Sequence, residues 1–288
     1  MSDLHDPFIE TCPIECQSAL APTTLVLPEG ALRRCLACGQ LISPCTESHY
    51  IDSMREFNDP QGTLPSERTQ QRSTRRGRKF LMRIARLLNQ PNEAIRLLDV
   101  GCSSGAFLRT AADFGFQVEG VEPAREAAQT ARMAGFKVFP GLLQEANFAE
   151  GQFDAITLFE VIEHLKSPGE VLRECRRILK PGGILLIGTG NTDSWTMHTM
   201  GADWEYLSIQ KHGGHISFFN PHSLQLLAER CQFEVARTDT QGVRYLDKND
   251  SPAVPYRLAK IVGELANPLA KLFNKGHDMA VCLCKPAV

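Results

Sequence analysis

The sequence predicts a doubly wound α/β domain on a mostly parallel seven-stranded sheet, with a small zinc-ribbon-like module at the N-terminus. Three observations predict it. Short apolar runs, IRLLDV, FQVEGVE, KVF, FDAITLF and GILLIGT, alternate with helical segments beginning near Gly105, Ala124 and Pro168, as in a parallel sheet covered on both faces. A helix over Pro221 to Arg230 then leads into FEVARTDT, and the chain ends in MAVCLC, two strands suited to a closing hairpin. Finally, five of the ten cysteines fall within the first 45 residues.

At 288 residues the chain can hold one large α/β domain and an appendage. Thirty-three acidic against 31 basic side chains give a net charge of −2, which exerts no general pull on nucleic acid or anionic membrane. No apolar run approaches the roughly 18 residues of a membrane span, and MSDLHDPFIETCPIECQSAL lacks the profile of a signal peptide. A cytoplasmic protein is expected, with cysteines serving metal or burial rather than disulfides.

Residues 1–50 form the first predicted unit. Cys12 and Cys16, then Cys35 and Cys38, make a C-x3-C and a C-x2-C pair, close to the spacing of a structural zinc site. The stretch APTTLVLPEGALRRC supplies a hairpin turning at Pro28-Glu29-Gly30, and Cys45 is spare. Residues 51–91 read as a linker running into a basic amphipathic helix with Phe80, Leu81, Ile84, Leu87 and Leu88 on one side. Its arginines, between 68 and 86, are expected on a solvated face; nucleic acid is a disfavoured partner. The main domain is placed at 92–288. Its insertion, 241–277, contains a helix whose Leu258, Ile261, Val262, Leu265, Leu269, Leu272 and Phe273 are expected to pack over the domain, or else to form a lid or lipid-facing surface.

The first strand of that domain ends in LLDVGCSSGAFL. A dinucleotide fingerprint fails there, because Ser103 and Ala106 stand where its second and third glycines belong. Glu122, 21 residues after Gly101, suits ribose hydroxyls and would repel a 2′-phosphate. These features predict an adenosine-type ligand with little or no phosphate, and disfavour a nicotinamide dehydrogenase.

Together, LLDVGCSSG, VEGVEPA, FDAITLFEVIEHL and LRECRRILKPGG resemble the class I S-adenosylmethionine-dependent methyltransferases over roughly residues 92–240. GCSSG departs from the commoner G-x-G-x-G. The resemblance implies that Asp99, Gly101, Cys102, Ser103 and Gly105 form the methionine-side loop and that Glu122 binds ribose. It further implies Pro123, Leu142 and Leu143 along the adenine, Phe159 and Glu160 at the end of strand four, and LKPGG as the turn before strand five. The N-terminal cysteines and HISFFNPHSL look like a subgroup acting on small molecules, saccharides or lipid-linked acceptors.

Three readings of FEVIEHL stay open. Glu160, Glu163 and His164 specify only the fold; or His164 or His215 is a general base; or Glu160, Glu163, His164 and His215 bind a divalent metal. The metal arrangement resembles metal-dependent O-methyltransferases sharing E-x-x-E-H and a later histidine. An oxygen acceptor is favoured, because deprotonating a hydroxyl suits such a site. The rival is a zinc-ribbon protein binding nucleic acid or protein, with a non-catalytic cofactor domain.

Overall fold

A computed structural model describes residues 7–57, 67–247 and 251–287. Two sheets organise the chain. The first holds strands β1 (Leu20–Leu27), β2 (Gly30–Cys35) and β3 (Leu41–Ile42), with β9 (Ser217–Phe218) from far along the chain as its fourth. Leu27 pairs with Gly30, so Pro28 and Glu29 make the expected hairpin turn. Helices α1 (Glu47–Phe57) and α2 (Glu67–Leu88) follow. Next come β4 (Arg96–Val100), α3 (Ala106–Asp113), β5 (Gln117–Val121), α4 (Arg125–Met133), β6 (Lys137–Phe139), β7 (Phe153–Phe159), α5 (Pro168–Ile178) and β8 (Leu179–Gly190). The remainder runs through α6 (Trp195–Met200), α7 (Ile209–His212), β9 (Ser217–Phe218), α8 (Pro221–Arg230), β10 (Glu234–Gln241), α9 (Ala253–Leu272) and β11 (Asp278–Cys284).

The large sheet has the order β10-β11-β8-β7-β4-β5-β6, with β10 and β11 antiparallel at one edge and the inner strands parallel. Alternation along each strand divides its residues between two cores. Leu98, Leu185 and Ile187 face one layer with Leu172 and Leu224 of α5 and α8. Leu97, Ile184 and Leu186 face the other with Leu81 and Ile84 of α2. Burying each such side chain contributes about 1.5–3 kcal/mol. The chain winds outward from β4 to β6, then returns to β7 on the other side of β4. The switch point between β4 and β7 is therefore where a doubly wound sheet opens a ligand crevice.

The arginines of α2 divide by what they meet. Arg76 pairs with Asp278 at 3.0 Å and Arg83 with Asp239 at 2.8 Å, so two of them fasten α2 to the edge hairpin. Arg75, Arg78 and Arg86 are exposed. The side chains of Arg68 and Arg72, like residues 58–66, lie outside the described residues.

Two sequence expectations are corrected. LKPGG is not a separate turn: it lies within β8, whose pairing jumps from Phe153 with Leu179 to Ala155 with Ile184. Gly182 has φ +74, and Gly182 and Gly183 exchange backbone hydrogen bonds with Lys285, which keeps the irregular stretch in the sheet. The second correction concerns α9. Its large apolar side chains, Leu258, Ile261, Val262, Leu265, Leu269 and Leu272, face outward, with Leu265 74% exposed, and Phe273 just beyond the helix is exposed too. Its small residues Gly263 and Ala270 face inward instead; a Cβ on Gly263 would lie 2.4 Å from the Val243 carbonyl oxygen. Close backbone approach selects the small face for packing. Among the described residues, no helix is long and apolar enough to cross a membrane.

Candidate active site and cysteine cluster

At the switch point, β4 ends in a turn that only glycine fits. Gly101 has φ +76, and a Cβ there would stand 2.4 Å from Cγ2 of Val161. Gly105, φ +86, begins α3 with Phe136 and Ala131 close behind it. Between them Ser103 is left-handed at φ +48. Glu122, at the end of β5, accepts from Ser103 N at 2.8 Å and from Ala124 N at 2.9 Å, so one carboxylate ties the two strand-end loops together. A carboxylate has about four lone-pair sites, leaving acceptor capacity for hydroxyl groups.

Beneath this loop Asp99 is buried and accepts from Thr157 Oγ1 at 2.6 Å. Burial, opposed by that hydrogen bond and reinforced by the Glu122 charge, raises its pKa to about 7. Cys102 is buried among Leu108, Ala128 and Val138, which raises its thiol pKa to about 12 and keeps it protonated. Pro123 and Leu142 are exposed at the strand-end loops. Leu143 is buried in the main core. Phe159 stacks on Phe80 and meets Phe107 edge-on.

The Asp99 shift has a stability consequence with a definite sign. The native carboxyl holds its proton up to about pH 7 while the unfolded one loses it near 4, so stability falls as pH rises between those values. The slope from this group approaches about 1.4 kcal/mol per pH unit. Urea unfolding at several pH values should show Asp99→Asn losing that decline and exceeding the parent protein in stability at pH 8.

The second part of the site lies beyond β7. Glu160 follows the strand at φ +53, its amide bonded to the Gly188 carbonyl, with its side chain on the exposed rim. Glu163 is wholly buried. Its backbone carbonyl accepts from Ile216 N at 3.0 Å, which brings the distant HGGHISFF segment beside FEVIEHL. Carboxylate Oε1 of Glu163 receives the Tyr206 hydroxyl at 3.3 Å and faces His215 Nε2 at 3.9 Å. His215 Nδ1 lies 2.8 Å from the Tyr206 carbonyl and donates to it, so Nε2 carries the lone pair. Burial and the neighbouring His164 push His215 down to a pKa of about 3, while burial puts His164 at about 4. Burial and the charge of Glu160 hold Glu163 well above the ordinary carboxylate range.

Glu160, Glu163 and His215 can each point a ligand atom within 4.8 Å of the others. His164 lies outside that group, its ring edge-on to His215 with centroids 4.7 Å apart. It hydrogen-bonds toward the Gly213 and Gly214 backbone. Helix α1 braces the same loop: Ser53 Oγ accepts from Gly214 N at 3.0 Å, and Tyr50 donates to the His164 carbonyl. Sequence reading had no signal for Tyr50 or Ser53 as neighbours of the histidines. A cavity of about 830 Å³ is lined by Arg244, Tyr245, Tyr256, Lys260, His277 and Asp278.

Cys12, Cys16, Cys35 and Cys38 converge, their sulfurs all within 4.8 Å of one another. Cys12 and Cys38 are 3.6 Å apart, too far for a disulfide and near the ~3.8 Å edge of a tetrahedron with Zn–S bonds of about 2.3 Å. The four thiols fit a tetrahedral zinc ion. The missing glycine of the first knuckle is replaced by Glu15 at φ +61, with its amide bonded to the Cys12 carbonyl; Gly39 at φ +72 does the same in the second. The hydrogen bond between Cys12 and Cys38 lowers the pKa of Cys12 and raises that of Cys38, so the two thiols share a proton. Cys45 belongs to a separate apolar cluster with Ile9, Ile42, Ile209 and Ile216.

A doubly wound sheet with a glycine-shaped turn and a carboxylate at its switch point defines a nucleoside-binding α/β enzyme. Residues 71–238, more than half of the chain, match the Methyltransferase domain family, and the chain belongs to it as an S-adenosylmethionine-dependent methyltransferase. Among curated proteins it is 28% identical over 197 residues to a ubiquinone biosynthesis O-methyltransferase of Yersinia enterocolitica, covering 65% of this chain and 72% of that one. The protein of that name from Caulobacter sp. is 37% identical over 108 residues, covering 35% of this chain. The chain spans 43% of that relative's length. A solved S-adenosylmethionine-dependent methyltransferase from Archaeoglobus fulgidus shares the fold at TM-score 0.52 and 20% identity, covering 73% of this chain and 94% of its own. Another, from Thermotoga maritima, does so at 0.51 and 19%, covering 81% and 99%.

Proposed function

We propose that the protein transfers the methyl group of S-adenosylmethionine to a hydroxyl oxygen of a small-molecule, saccharide or lipid-linked acceptor, with a divalent cation held by Glu160, Glu163 and His215. The observation that carries this reading is His215 Nε2 facing a carboxylate oxygen of Glu163 at 3.9 Å, both lone-pair bearing, with the imidazole proton committed to the Tyr206 carbonyl. An N–H fixed on a backbone carbonyl is the support a metal-binding imidazole needs. Two carboxylates and an imidazole suit magnesium, manganese or zinc.

In this reading the Gly101–Gly105 turn and Glu122 would hold the cofactor, which when bound would supply the methyl group, and Glu160 stands on the rim of the same switch point. A bound cation would supply Lewis acidity that lowers the pKa of the acceptor hydroxyl, so that its proton passes to solvent and S-adenosylhomocysteine is the leaving group. The protein's own contribution is alignment: displacement at a methyl carbon is in-line, so Glu163, Tyr206 and His215 fix the acceptor oxygen against it and exclude water. The names of the curated relatives support an oxygen acceptor.

Calorimetry with Mn2+ on the S-adenosylhomocysteine complex tests the site without knowledge of the acceptor. One manganese per chain is expected in addition to any metal on the cysteines. Glu163→Gln should weaken it by at least about tenfold. Full turnover of a hydroxyl acceptor after chelation, with the cysteine metal retained, overturns the cation.

A further inference from the structure

We propose that a zinc ion on Cys12, Cys16, Cys35 and Cys38 is the brace that holds His215 in the active site, with Gln40 as the positioning residue that transmits it. The N-terminal module is joined to the histidine-bearing segment by a shared sheet: β3 pairs antiparallel with β9, Leu41 with Phe218 and Ile42 with Ser217. Gln40, two residues after Cys38, is fully buried and donates to Ser217 Oγ at 2.7 Å. Ser43 N bonds the Ile216 carbonyl at 2.9 Å, and Asn220 Nδ2 reaches the Cys38 carbonyl at 3.4 Å. Segment 216–220 is thus stitched to the second cysteine knuckle along its length, and His215 is the next residue.

The first knuckle is anchored elsewhere. Ile14 is buried in the main core, Arg230 of α8 donates to its carbonyl and reaches Cys16 Sγ at 3.4 Å, and Glu15 pairs with Arg173 of α5. A zinc ion would join a knuckle fixed to α5 and α8 to one fixed to β9. That join matters because β3 and β9 are two residues each, too short to hold their register unaided. A second contact runs in parallel: Leu27, Leu32 and Leu41 of the module pack against Trp204, Tyr206 and Phe218, and Tyr206 supplies the carbonyl that orients His215. None of these hydrogen bonds and ion pairs touches the Gly101–Gly105 turn. Metal loading should therefore govern the acceptor side alone.

The test uses the full chain bound to S-adenosylhomocysteine. Metal analysis should find one zinc per chain. Its removal by a mercurial and chelator should speed amide exchange at Ile216, Ser217 and Phe218 by at least about tenfold, reversibly, with cofactor affinity unchanged within about twofold. Gln40→Leu, which leaves all four cysteines, should keep zinc and cofactor affinity while loosening the same amides; Ser217→Ala, which removes the acceptor of the Gln40 amide, should loosen them to the same extent. With an acceptor in hand, Gln40→Leu should lower kcat by about tenfold at constant KM for S-adenosylmethionine. Unchanged exchange at 216–218 after zinc loss, or cofactor affinity falling in parallel, overturns the proposal. So does a Gln40→Leu protein with native exchange. The kcat arm rests on the acceptor-side role given to His215, whereas exchange, zinc content and cofactor affinity do not, so failure of that role and failure of the brace are separable.

Discussion

Gly101→Ala is expected to reduce S-adenosylmethionine affinity by about 100-fold or more while the sheet stays folded. Two separate penalties meet at this position. At φ +76 any side chain pays for the left-handed backbone, and the added methyl would lie 2.4 Å from Cγ2 of Val161. The turn must therefore move, and it carries Ser103, whose amide is bonded to Glu122. Displacing it uncouples the two loops that would hold the nucleoside. The penalties can be separated: Val161→Ala in the Gly101→Ala background removes the overlap but leaves the backbone strain, so it should recover part of the affinity. Calorimetry with S-adenosylhomocysteine reads both. Wild-type affinity in Gly101→Ala would place the cofactor elsewhere.

The central strands of the large sheet, β4, β7, β8 and β11, were legible because each is a local apolar run whose alternation matches the two cores. The cysteine pairs were legible for a similar reason, since a metal site written in spacing needs no knowledge of the tertiary structure. Two features were not. Strand β9 is two residues long and carries no periodicity; it exists because β3, 175 or more residues earlier, lies against it. No window around HISFF shows that its partner is LI beside the cysteines. In α9 the apolar periodicity was real but its direction was not encoded, because both the leucine stripe and the Gly263–Ala270 stripe can face a protein core. Backbone approach to Val243 decided for the small side. The pairing of FEVIEHL with His215 falls between these cases: the residue types suggested it, while the bond from Ile216 N to the Glu163 carbonyl that produces it is invisible in sequence.

His215→Ala should lower kcat by about 100- to 10,000-fold, with S-adenosylhomocysteine affinity unchanged. Its two ring nitrogens have different tasks: Nδ1 holds the Tyr206 carbonyl and Nε2 looks into the space before Glu163. Removing the ring takes away the third ligand atom and the anchor of the 204–207 turn together, so the alanine variant alone does not say which loss matters. Tyr206→Phe separates them. It keeps the carbonyl that receives Nδ1 but deletes the hydroxyl that donates to Glu163 Oε1 and receives Gly190 N. If Nε2 serves the cation, His215→Ala abolishes Mn2+ binding whereas Tyr206→Phe retains it with a smaller, about tenfold, fall in kcat. Were the histidine only a prop for Tyr206, the two variants would lose activity to a similar extent and both would bind manganese. Because Glu163 is wholly buried beside these groups, the decisive comparison is manganese affinity at equal cofactor saturation, which a merely loosened loop would leave largely intact.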